Sequence, residues 1–75
     1  MTVNDFLTDF QDVLQRESPL SPELLLADLE EWDSMAIMGT MAYLDSRLGI
    51  KTTFRTYRDL KSVADVIALA KGKLA

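Results

Sequence analysis

Residues 33–49, "DSMAIMGTMAYLDSRLG", decide how the chain is read. Asp33 is a residue type that caps helices, because its short carboxylate can accept a first-turn N–H that has no intrahelical partner. Gly49 suits the left-handed conformation that closes a helix. The spacing between them predicts a helix from Asp33 to Leu48. Ile37, Met41, Leu44 and Leu48 fall on one stripe, the expected core face. Met35, Met38 and Ala42 form a second stripe beside it. The remaining face carries Ala36, Gly39, Thr40, Tyr43, Ser46 and Arg47 and is almost uncharged. Gly39 disfavours a helix interior by roughly 1 kcal/mol relative to alanine, and it marks either a close approach by another backbone or a tolerated defect.

Working outward, residues 4–16 read as an earlier helix capped by Asn4. Val3, Phe6, Phe10 and Val13 recur at helical spacing, Leu7 and Leu14 widen the stripe, and Asp5, Asp9 and Asp12 make a solvated face. In "ESPLSPELLLADLEEW", residues 17–32, Pro19 and Pro22 mark a break. Ser21 and Pro22 could cap and start a helix, but a short turn inside a long connection fits better. Leu24, Leu25, Leu26 and Leu29 are expected to pack in either case. "IKTTFRTYRDL", residues 50–60, has the threonines and aromatics of a strand but no segment to pair with. Its backbone groups need partners, so an irregular stretch or a short helix near residues 54–60 is expected. Residues 62–74 read as a last helix, with Ser62 as cap and Asp65 in the first turn. Val63, Val66, Ile67, Ala70 and Leu74 form its stripe, and Lys71 and Lys73 lie where cations favour the dipole. The expected fold is all-α: one domain over residues 1–75, a small four-helix bundle of three principal helices plus one short helix, with a long loop between the first two.

Composition narrows the chemistry. The 75 residues contain neither cysteine nor histidine, so no disulfide, thiolate or imidazole base is encoded and a zinc site is not expected. The N-terminal "MTVNDFLTDF" lacks the basic flank of a signal peptide, and no apolar run approaches the ~20 residues of a membrane span. A cytoplasmic protein without membrane insertion is the expectation. Net charge is −4, but residues 1–45 hold ten acids and one base while residues 46–75 hold two acids and seven bases. Such a dipole either steers charged partners or draws the two halves together in the fold. Lys51, Arg55, Arg58, Lys61, Lys71 and Lys73 raise a nucleic-acid reading. The acids of the first half oppose it, and no recognition helix is evident. No nucleic-acid partner is expected.

That leaves Ser34. An Asp-Ser pair at a helix start is ordinary punctuation on its own. A phosphate on Ser34 would nevertheless lie near unpaired N–H groups and the positive end of the helix dipole. The whole chain says more than the pair. Its N-terminal amphipathic helix, the loop "SPELLLADL", "DSM" at a helix start, "LDSRLGI" at that helix's end and "LKSVADVIALA" near the C-terminus follow one another in the order of a known family. The chain resembles, over nearly its full length, the acyl carrier proteins and their peptidyl and aminoacyl carrier relatives. The resemblance implies that Ser34 accepts 4′-phosphopantetheine from coenzyme A through a phosphopantetheinyl transferase. It assigns Asp33 to the recognition motif and the helix cap, and Met35, Met38 and Ala42 to contacts with partner enzymes. An acyl- or aminoacyl-loading ligase and a downstream acyltransferase or synthase are the implied partners of a monomeric, non-catalytic carrier. Leu44 and Leu60 are implied to lie where an acyl chain could enter the core. The thiol missing from the sequence would be imported with the arm.

The chain departs from the family pattern at several positions. Met35 stands where leucine is commonest, and Trp32 where a small residue often precedes the Asp. Along the second principal helix, Ala36, Gly39, Ser46 and Arg47 occupy positions where carriers of general fatty-acid synthesis place carboxylates, and only Asp45 is acidic. These departures point to a specialised free-standing carrier for a surface polymer, lipid or secondary-metabolite pathway. The alternatives are a peptidyl or aminoacyl carrier of a non-ribosomal pathway, and a helical interaction domain whose Ser34 is never modified.

Overall fold

A computed structural model describes residues 1–74; Ala75, the last position of the expected domain, lies outside the described residues. The first helix, α1, spans Val3–Leu14. Its cap is Thr2 rather than Asn4. Asp5 N–H donates to Thr2 Oγ1 at 3.1 Å while Thr2 N–H donates to Asp5 Oδ2 at 3.0 Å. This reciprocal pair satisfies two end groups, which Asn4 alone would not do. The helix stops before residue 16 because Gln15 turns left-handed at φ 55°. Gln11 Nε2 then donates to the carbonyls of Arg16 and Glu17, at 3.0 and 3.1 Å.

The helix buries Phe6, Phe10 and Leu14. The stripe therefore runs through Leu14 rather than Val13, which is half-buried, and Val3 is exposed. Asp9 also leaves the solvated face expected of it. It is half-buried and accepts a hydrogen bond from Tyr43 Oη at 2.6 Å.

The second helix, α2, spans Ser34–Leu48 and closes on Gly49 at φ 68°. Its buried residues are Ala36, Thr40 and Leu44. Leu44 is buried as expected, but Ile37, Met41 and Leu48 are only half-buried, and the innermost line is completed by Ala36 and Thr40 from the face expected to be left over. The reason is close packing on α1. Tyr43 meets Asp9, and a Cβ on Gly39 would lie 3.2 Å from Val13 Cγ1. Rising numbers on one helix meet falling numbers on the other, so the pair is antiparallel. Small residues let the helices approach, and the close neighbour of Gly39 is a side chain rather than a backbone. Thr40, wholly buried, satisfies its hydroxyl by donating to Ala36 O at 2.8 Å.

The connection from residue 15 to residue 33 is irregular apart from one 3₁₀ turn, Leu26–Asp28. It is fastened to the start of the last helix. Leu26 N–H donates to Lys61 O, Val63 N–H to Leu24 O and Ala64 N–H to Pro22 O, each at 2.9 Å. Leu25 and Ser62 form an isolated antiparallel bridge. Leu20, Leu26 and Leu29 are buried, whereas Leu25 is half exposed and does not pack as expected. The short helix α3 spans Phe54–Arg58 and turns Tyr57 inward. The last helix, α4, spans Val63–Leu69 with Ser62 as its cap and ends earlier than expected; a 3₁₀ turn, Lys71–Lys73, continues it. Leu44 is wholly buried in the core, and Leu60 packs against it from the edge. The fold is the expected small all-α bundle.

Two caps make the fold acid-sensitive. The backbone N–H of Thr2 holds the Asp5 carboxyl below its ordinary range, and those of Lys61 and Ser62 do the same for Asp65. A depressed folded pKa contributes stability that is present above the unfolded value and lost as pH falls through the folded one. Stability should therefore decline below about pH 4, and Asp65→Asn should flatten that decline. Acid titrations of both proteins by circular dichroism check this; identical acid limbs would contradict it.

Candidate functional site

The start of α2 is built from both sides. Asp33 takes an extended conformation, φ −133° and ψ −173°, and its Oδ1 accepts the Ala36 N–H at 2.9 Å. Asp33 is thus the cap that its residue type suggested. Removing it by Asp33→Ala should lower stability by about 0.5–2 kcal/mol, read as a shift in urea midpoint. The N–H groups of Ser34 and Met35 have no hydrogen-bond partner among the described residues. Ser34 is exposed at the first helical position, with its hydroxyl beside those amides.

The segment before the cap is held by two anchors that the residue-by-residue reading did not single out as anchors. Trp32 lies edge-on to Phe10, with ring centroids 5.9 Å apart, and leans on Tyr57 at 6.2 Å. Phe10 in turn stacks on Phe6, and Phe6 meets Tyr43. An aromatic row therefore runs from α1 and α2 through Trp32 to α3. Arg16, just past α1, bridges to Glu31 at 3.1 Å with both side chains largely covered. The signal for Trp32 was a large aromatic directly before the Asp-Ser pair, and for Arg16 its standing as the one base among the ten acids of residues 1–45.

On the helix side of Ser34 the surface is apolar, and on the loop side it is acidic, with Glu30 and Asp33 exposed. Met35 is 79 % exposed and Met38 57 % exposed, and Ala42 is exposed one turn further on. Positions 35, 38 and 42 share one side of a helix, so the three residues make a continuous strip leading away from the serine. Beside the cap an open groove is lined by Val13, Leu14, Gln15, Glu31, Asp33, Met35 and Ala36. A methionine side chain is flexible and polarisable, which suits it to contacts that must adapt.

Two tyrosines are fixed parts of the frame rather than reactive groups. Burial, and then the hydrogen bond to Asp9, push the Tyr43 hydroxyl far above its usual range. Burial also raises the Tyr57 hydroxyl above its ordinary value, against the lowering effect of its hydrogen bond with Thr52 Oγ1 at 2.8 Å.

Among the described residues no helix is long and apolar enough to cross a membrane. No protein-family model matches the chain, and no curated protein or solved structure matches it significantly.

Proposed function

We propose that this protein is an acyl carrier: it holds acyl or aminoacyl groups as thioesters on 4′-phosphopantetheine attached to Ser34 Oγ and presents them to biosynthetic enzymes. The observation that carries the reading is the exposed hydroxyl at the first position of a 15-residue helix, beside two unpaired amides and an exposed methionine strip. A phosphodiester at this position would be stabilised by those amides and by the helix dipole. Asp33 would keep the first turn formed while a transferase reaches Ser34. When bound, the arm would supply a thiol, a nucleophile the sequence does not encode. Met35, Met38 and Ala42 would give partner enzymes an apolar surface next to the attachment point, and tethering would raise the effective concentration of the cargo. The protein would perform no catalysis itself. A cytoplasmic, monomeric, specialised carrier remains part of this proposal.

The absence of cysteine makes the test simple. A thiol-specific reagent should find no reactive group in protein made without a phosphopantetheinyl transferase. After incubation with coenzyme A, a promiscuous transferase and removal of small molecules, it should find one per chain. A folded sample that stays thiol-free would overturn the reading.

A further inference from the structure

The short helix α3 turns an unusual set of side chains outward. Tyr57 is its buried residue, whereas Phe54 is 49 % exposed and both Arg55 and Arg58 are exposed. Phe54 and Arg58 are four residues apart and Arg55 and Arg58 three, so the three side chains share one surface. Neither guanidinium forms an ion pair among the described residues; the two pairs present join Arg16 to Glu31 and Lys51 to Asp45. Asp59 is the one acid within the segment from Phe54 to Lys61. A half-exposed phenylalanine beside two unpaired arginines leaves apolar area and charge that the fold itself does not use. Aromatic residues and arginine are also the types enriched where proteins meet.

We propose that the Phe54–Arg55–Arg58 surface docks an acidic patch on a partner protein, with carboxylates facing the two guanidiniums around an apolar pocket for the Phe54 ring. The helix that carries this surface is anchored to the rest of the fold by its inner residue, Tyr57, whose ring lies 6.2 Å from that of Trp32. The charge of this surface comes from Arg55 and Arg58 and lies within the basic half of the chain, where residues 46–75 carry seven bases and two acids. A protein fits better than a nucleic acid. The remainder of the chain carries ten acids in its first 45 residues, which repel an extended phosphate backbone, while a local acidic patch can avoid them. The ring of Phe54 also asks for a pocket of its own.

This inference does not depend on modification of Ser34, so it is tested on the Ser34→Ala protein. The probe is a short peptide with a central leucine flanked by glutamates, titrated at low salt while the backbone amide resonances are followed. Shifts should centre on residues 54–61, and added salt should weaken binding. The double variant Arg55→Glu/Arg58→Glu should bind roughly tenfold more weakly with an unchanged circular dichroism spectrum, and Phe54→Ala should also weaken it. Tighter binding of an oligothymidylate of equal charge would overturn the proposal in favour of nucleic acid. Self-association in sedimentation that the double variant removes would overturn it in favour of a second copy. Absence of shifts on α3 would overturn it outright.

Discussion

Phe10→Ala should lower the stability of the fold by about 3–5 kcal/mol. Phe10 has no solvent exposure, stacks on Phe6 at 6.1 Å and receives the edge of Trp32 at 5.9 Å. Truncation therefore removes a large apolar side chain, opens a cavity and unseats the aromatic row that links α1 to α3. A chain of this length has a total stability of roughly 4–11 kcal/mol, so the loss is a large share of the whole. Urea unfolding monitored by circular dichroism and by Trp32, the single tryptophan, should show a steep drop in midpoint or no native baseline. The Trp32 signal should move with the dichroism, because the indole sits on the removed ring. Met35→Ala is the control: with its side chain mostly in water, it should change stability by less than about 0.5 kcal/mol. A loss below about 1 kcal/mol for Phe10→Ala would mean that the row is not the core of the fold.

Ser34→Ala has the other large expected effect, and it falls entirely on function. Ser34 is exposed and its side chain makes no hydrogen bond among the described residues, while the cap is supplied by Asp33. Alanine is also the better helix former. The variant should therefore fold as well as the parent, within about 0.5 kcal/mol, and accept no phosphopantetheine at all. That combination separates a chemical handle from helix punctuation. A serine that only served the helix would change stability slightly and leave any modification elsewhere intact. The same urea protocol supplies the stability arm.

The parts of the fold that were legible are those written in local chemistry. Asp33 and Gly49 fix α2 to within a residue, and Ser62 with Asp65 fixes the start of α4. The same local information marks Asp33 as a cap, whereas Ser34 as an attachment point and Met35 and Met38 as partner contacts rest on the resemblance of the whole chain. Local chemistry also misled where two signals competed. Asn4 is a sound cap by type, but Thr2 and Asp5 satisfy two groups at once and win. The facing of α2 was hidden for a different reason. Periodicity gives weight to the largest apolar side chains, Ile37 and Met41, whereas a close helix pair buries small ones, here Ala36 and Thr40, beside Gly39. Volume complementarity between two helices is not a property of either one alone. The long connection with one short turn was legible, but its fastening was not, because its partners are distant in sequence: Pro22, Leu24 and Leu26 bond to residues 61–64. The function of Trp32 was hidden in the same way, since Phe10 and Tyr57 lie far from it in the chain.

The central claim is that Ser34 Oγ is the attachment point. Its most direct test is the intact mass of parent and Ser34→Ala proteins after incubation with coenzyme A and a promiscuous phosphopantetheinyl transferase. The account predicts that the parent gains the mass of one phosphopantetheine and the folded variant gains none. Equal gain in both, or none in a folded parent, would contradict it.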